Sequence, residues 1–183
     1  MEPKFSMQYG EFAVADFLSK KVNGASVFIP ASAQEKGIDL LLYKFVNGEN
    51  IVKTVQVKMS RTYYNVTPKY KNTLWFYRFN VPDNADWFIL VGIYAEYPDK
   101  AESAKVYEPQ FREIMLAFKN NEIKEFMEEV RLKKSPDKYD KMFGFGFNSK
   151  DKIFQTRGYP TERDMSDYLI EKRINEIAKT FSR

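Results

Sequence analysis

Two β-prone runs meet at Asn47-Gly48. The first, GIDLLLYKFV, covers Gly37 to Val46, and the second, IVKTVQVKMS, covers Ile51 to Ser60. Asn-Gly between such runs specifies a tight hairpin, because both central residues of the favoured turn need positive φ. Side chains two apart on a strand share a face. Gln56 and Lys58 therefore point the same way in the second arm, and Asp39 shares its face with Leu41 and Tyr43 in the first. A two-residue turn sets Asp39 opposite Gln56; a four-residue turn over Asn47 to Asn50 sets it opposite Lys58. Either register gathers Asp39, Gln56 and Lys58 on one sheet face.

The flanking segments supply the rest of an architecture. Tyr9 to Val22 reads as a helix, with Val14, Phe17, Leu18 and Val22 at helical spacing and Asn23-Gly24 as a left-handed stop. SVFIPAS is a short β-rich run. Residues 61–72 read as a basic loop, Thr73 to Val81 as a strand and PDNAD as a turn. Trp87 to Tyr97 is a continuous apolar run, the signature of a buried central strand. Lys105 to Tyr107 reads as a short strand. From Pro109 onward the spacing predicts helices. Pro109 to Lys119 repeats apolar residues at Phe111, Ile114, Met115 and Phe118; Glu122 to Lys134 repeats them at Ile123, Phe126, Met127 and Val130. Glu122 to Glu129 then forms a solvated acidic face. A last helix, capped by Thr161 and Asp164, runs to the neighbourhood of Phe181. FGFGF reads as a turn or an aromatic strand; it lacks the third glycine and the following helix of a dinucleotide loop, so no nucleotide cofactor is expected. This order predicts one mixed α/β domain over residues 1–183 with a helical C-terminal half.

Composition narrows the chemistry. The chain has neither histidine nor cysteine, which excludes Ser-His-Asp catalysis, histidine–metal nucleases, thiol nucleophiles, disulfides and cysteine zinc sites. Carboxylates, lysine, amides or an oxygen-ligated metal must do the work. The longest apolar run, Trp87 to Ala95, is too short to span a bilayer, and MEPKFSMQYGEF lacks a basic-then-apolar leader. A cytoplasmic protein without a membrane partner is the expectation. Net charge is +4, and residues 48–80 alone hold six bases against the single acid Glu49. Tyr63, Tyr64, Tyr70, Trp75, Phe76 and Tyr77 lie in the same stretch. Basic and aromatic residues so interleaved suit a polyanion with flat bases, and equally a solvated strand face over core aromatics.

Asp39 and Gln56 each interrupt an apolar stretch. A carboxylate there is costly unless paired or bound to a cation, so the group reads either as an Asp39–Lys58 ion pair or as the seat of one hard cation. Glu11 adds to it. Ala15, Leu18 and Val22 follow at i+4, i+7 and i+11, so Glu11 caps the helix face that packs on the sheet.

A helix acid, then GIDLLL, then a hairpin into VQVKMS resembles the PD-(D/E)XK nuclease superfamily. The motif resemblance spans residues 9–60, and the strand from Trp87 is similar in order to the next core strand of that fold. The resemblance implies a restriction-endonuclease-like mixed central sheet flanked by helices, with a motif core over 9–97 and a helical elaboration over 108–183. By it, Asp39 matches the metal-binding aspartate, Gln56 stands where Glu or Asp is usual, and Lys58 matches the lysine. Glu11 matches the helix acid of several branches, and the Val57 carbonyl is a further ligand. Two departures are plain: Gly37-Ile38 replaces the proline before Asp39, and Gln56 brings an oxygen without a charge.

The implied activity is Mg²⁺-dependent hydrolysis of DNA phosphodiesters, with Mn²⁺ able to substitute. Asp39, Gln56, Val57 and Glu11 hold the metal, and Lys58 orients the attacking water and stabilises the charge developing on phosphorus. Arg61, Lys69 and Lys71 are assigned to DNA phosphates. A sequence-specific restriction endonuclease acting as a homodimer leads. A Holliday-junction resolvase, a non-catalytic DNA-binding module on the same fold, and an interaction protein with a plain Asp39–Lys58 pair are the rivals.

Overall fold

A computed structural model describes residues 4–30, 37–62, 72–96, 110–149, 152–159 and 162–182. Helix α1 (Lys4–Lys21) leads into β1 (Ser26–Phe28), β2 (Leu40–Val46) and β3 (Glu49–Arg61), an antiparallel meander. Asn47 and Gly48 both have positive φ, at 52° and 84°. That is the two-residue turn, and it sets Val46 opposite Glu49 and Leu40 opposite Val55. The chain then passes through β4 (Thr73–Tyr77) and returns as β5 (Trp87–Glu96), parallel to β3. A parallel neighbour requires such a crossover. Antiparallel β6 (Gln110–Lys119) completes a five-stranded sheet in the order β1-β2-β3-β5-β6. Beyond it come α2 (Asn120–Glu129), β7 (Arg131–Leu132), β8 (Ser135–Tyr139), β9 (Met142–Ser149), β10 (Lys152–Arg157), a 3₁₀ turn (Ser166–Tyr168) and α3 (Ile170–Lys179). Strands β10, β9 and β4 form a second sheet, and β7 pairs with β8.

The mixed α/β class holds, but the second half is not mainly helical. Residues 110–119 form a strand, and the helix after them starts at Asn120 and stops at Glu129. The reason is burial on both sides. The main sheet carries α1 and α3 on one face, and the second sheet with α2 on the other. Ile114, Leu116 and Phe118 enter the core with the second sheet, while Met115 and Ala117 enter the core with the helices. A strand covered twice is apolar at successive positions, and such a run also satisfies helical spacing. Trp87 to Val91 behaves in the same way: Phe88 and Leu90 face one core, Trp87, Ile89 and Val91 the other.

FGFGF is an aromatic strand. Phe143, Phe145 and Phe147 point into the core, alternating with Gly144 and Gly146. The last helix starts at Ile170, later than expected. Asp164 accepts the N–H of Ser166 (2.8 Å) ahead of the 3₁₀ turn and does not cap this helix, which Leu169 precedes without a side-chain cap; Thr161 lies outside the described residues. Lys105 to Tyr107 also lies outside them.

Arg173 ties α3 to the sheet. It is 4% exposed and donates to both carboxylate oxygens of Glu122 (2.6 and 2.9 Å), to Glu176 (2.8 Å) and to the Ala117 carbonyl (3.2 Å). Glu122 also accepts the Lys119 N–H (2.7 Å), closing the first turn of α2. Glu122 is therefore a structural partner and not part of a purely solvated face. Hydrogen bonds from Arg173 and Lys119 hold the Glu176 carboxyl down to about 2. No described helix is long and apolar enough to cross a membrane.

Candidate functional site

The start of β2 decides the geometry. Asp39 is the residue just before this strand, and its N–H donates to the Val55 carbonyl at 2.9 Å. The Asp39 carboxylate then turns back onto β3. Its Oδ2 accepts the Val57 N–H at 2.7 Å and a short bond from the Gln56 side-chain amide. N–H and C=O of one extended residue point to the same strand edge, so the Val57 carbonyl also lies on the Asp39 edge. Since β2 begins at Leu40, opposite Val55, β2 does not pair with β3 beyond this point.

Gly37 fixes the approach to Asp39. Its φ is 91°, and a Cβ there would stand 2.5 Å from the Pro82 ring. Only glycine meets both demands without strain. Gly37→Ala is expected to cost about 2 kcal/mol and to displace Asp39, lowering together the denaturation midpoint and any activity that depends on Asp39. Unchanged stability would show that the segment relaxes freely.

Gln56 is 4% exposed, and Lys58 is half-buried two residues further along the same face. In register with Phe88 and Leu90, these two side chains lie on the face that carries the second sheet. Ser60 continues that row and donates to the Trp75 carbonyl of β4 at 2.6 Å. Val55, Val57 and Met59 take the opposite face, under Val14 and Leu18 of α1, and Gly10 lies against Met59.

Glu11 belongs to α1 and therefore stands across β3 from Gln56 and Lys58. It nonetheless lies close enough to feel both Asp39 and Lys58. Burial first, and then the Asp39 charge, push its carboxyl above the usual value; Lys58 opposes them. The folded state thus holds a proton on Glu11 more tightly than the unfolded chain does. Stability falls as pH rises from the ordinary glutamate value through the folded one. Glu11→Gln should therefore raise the metal-free melting temperature at pH 7, by about 1–3 °C, with the gain vanishing below pH ~4. A loss of stability at pH 7 would contradict this placement.

Arg61 ends β3 on the face of Val57 and Met59, away from Lys58, and is exposed. Lys69 and Lys71 lie outside the described residues. A residue without any motif signal, Asp86, braces the strand next to the site. Its Oδ2 accepts the Thr54 N–H (2.8 Å) and the Thr54 hydroxyl (3.1 Å), locking β3 to the start of β5.

Chemically, Asp39, Glu11, the Gln56 amide and the Val57 carbonyl are all hard oxygen donors, suited to Mg²⁺ or Mn²⁺ and not to a soft metal. The raised Glu11 carboxyl fits a place where a cation could take over from a proton. Among the described residues no three acids come together, so such a site would rest on two carboxylates and neutral oxygens. Comparison with known protein families, with curated proteins and with solved structures finds no match.

Proposed function

We propose that this chain is a metal-dependent endonuclease that hydrolyses DNA phosphodiesters, a member of the PD-(D/E)XK superfamily that its motifs resemble. One observation carries the proposal. Asp39 is anchored to β3 at Gln56 and Val57, with Glu11 and Lys58 within electrostatic reach of one another. A plain Asp39–Lys58 ion pair accounts for neither the second acid nor the bond to Val57.

In this proposal Asp39, Glu11, the Val57 carbonyl and the Gln56 side chain hold Mg²⁺, or Mn²⁺ in its place. The metal, when bound, neutralises phosphate charge and acidifies a water. Gln56 turns its amide so that Oε1, not Nε2, faces the Asp39 side; the amide is symmetric enough in shape for this. Lys58 orients the attacking water and donates to the phosphoryl oxygens as negative charge grows there. Cleavage of supercoiled plasmid in Mg²⁺, abolished by chelator, tests the proposal. No cleavage in Mg²⁺ or Mn²⁺ overturns it.

Within this class we place a sequence-specific, homodimeric, cytoplasmic restriction endonuclease first, because much of the chain lies beyond the motif core. Discrete fragments support that assignment, whereas resolved four-way junctions support a resolvase. Sedimentation with and without DNA tests the dimer. One observation favours a second reading, a non-catalytic DNA-binding module. The Gln56 amide already satisfies the Asp39 carboxylate without a cation, and DNA binding without cleavage would select that reading.

A further inference from the structure

The β7–β8 ribbon carries an unbalanced charge. Residues 131–141 hold Arg131, Lys133, Lys134, Lys138 and Lys141 against Asp137 and Asp140. Asp140 is already used: it is 4% exposed, accepts the Met142 N–H (3.0 Å), and lies 3.4 Å from the Arg157 guanidinium. The four lysines are exposed, and none forms an ion pair among the described residues. Elsewhere Lys20 pairs with Asp16, Lys53 with Asp86, Lys119 with Glu176, Lys124 with Asp83 and Lys172 with Asp167, while Lys21, Lys152 and Lys179 form no ion pair among the described residues. Lys133, Lys134 and Lys138 on this short ribbon, with Lys141 just beyond it, repel one another, which costs stability unless an anion is brought to them.

Two arginines anchor the base of the ribbon. The Arg131 guanidinium lies 3.7 Å over the Tyr139 ring and that of Arg78 lies 4.6 Å from the same ring. Arg78 also donates to the Val130 carbonyl (3.4 Å) and, more closely, to that of Met127, finishing the last turn of α2. Tyr139 is thus occupied by cations, and the lysine tips are what the ribbon offers to a partner. Flexible ammonium groups contact a polyanion as point charges and read no base sequence. Beside the ribbon, Arg131, Pro136, Arg163 and three glutamates line a cavity of about 520 Å³, where Glu129 pairs with Arg163 at 2.6 Å.

We propose that the β7–β8 ribbon is a second nucleic-acid contact, which grips the phosphodiester backbone without reading sequence. That the polyanion is nucleic acid rests on the nuclease proposal; the charge on the ribbon does not. The full chain is titrated into a labelled duplex of about 20 base pairs, and into its single strand, in chelator so that no cleavage occurs. Salt is varied between about 50 and 200 mM. Lys133→Gln/Lys134→Gln/Lys138→Gln is expected to flatten the slope of log K against log salt by about 2–3 and to weaken binding at least ~10-fold. The matching Lys→Arg triple should keep wild-type slope and affinity. Neutralising Lys20, Lys21 and Lys179, on the helix side of the main sheet, should change neither by as much. Tighter binding of duplex or of single strand identifies which backbone is gripped.

An unchanged slope in the Gln triple overturns the inference, as does a wild-type chain that binds neither nucleic acid at low salt. Loss of binding to anionic lipid vesicles in the Gln triple, with no nucleic-acid binding to lose, also overturns it. Plasmid cleavage keeps the two proposals apart. Cleavage with an unchanged slope rejects the ribbon alone, and a flattened slope without any cleavage rejects the nuclease alone.

Discussion

A protein carrying Lys58→Ala is expected to cleave supercoiled DNA in Mg²⁺ roughly 10²–10³-fold more slowly than the wild type, and Asp39→Asn to lose cleavage altogether. Both variants should melt within a few degrees of the parent. The Asn side chain still offers an oxygen to the Val57 N–H, which Asp39 binds at 2.7 Å, so what it removes is charge and not the anchor. Lys58 is half-buried, and no ion pair between it and Asp39 is present to be lost when it is shortened. The distinction from a structural role is therefore direct. A fold-stabilising pair would show itself in the melting temperature and not in the rate. Wild-type cleavage by either variant would sink the mechanism, and so would rate losses that merely track unfolding.

The second large effect concerns Gln56. Gln56→Glu places a third carboxylate at a position only 4% exposed, beside Asp39. Without metal this variant should lose about 2–4 kcal/mol, or roughly 5–10 °C in melting temperature for a chain of this size. Lys58, on the same face, offsets part of the cost. Mg²⁺ should restore most of the loss, because a ligand that binds only the folded state stabilises it by mass action. Scanning fluorimetry in chelator and in Mg²⁺ reads both halves of this expectation. Cleavage should rise at limiting Mg²⁺, since the added charge tightens metal binding. A destabilised variant that Mg²⁺ fails to rescue would show that no cation sits beside Gln56.

Both experiments draw on residues that the hairpin pattern brings together. That part was legible because its causes are local. Asn47-Gly48 can adopt the positive φ of a tight turn, and a two-residue turn leaves a single register. The sharing of a face by Asp39, Gln56 and Lys58 then follows from the pleat. Glu11 was legible in another way, as an acid heading an apolar helical row. The strand β6 was not legible. Residues such as Ile114, Met115 and Phe118 satisfy helical spacing, and only the presence of covering layers on both faces of the sheet makes a strand of them. Arg173 gave no signal either, because its partners Glu122 and Ala117 are more than fifty residues away in the chain.

By itself, then, the sequence determined the hairpin, the face on which its polar residues stand, and the exclusion of histidine and cysteine chemistry; it left two registers open, and the structure chose the two-residue turn. These depend on turn conformation, on a period of two and on composition, none of which needs a distant partner. The tertiary structure decided that β2 starts at Leu40, so that the Asp39 carboxylate can reach the Val57 N–H. It decided that α1, although packed on the far face of β3, carries Glu11 to a partly buried place near Asp39, so that burial first and then the Asp39 charge raise its carboxyl. It also decided that the second half is built largely on strands, leaving an unpaired lysine ribbon at β7–β8. The physical reason is common to all three. Where a strand ends, how closely two carboxylates approach and which faces are covered are set by contacts between segments remote in the chain, and no local pattern encodes them.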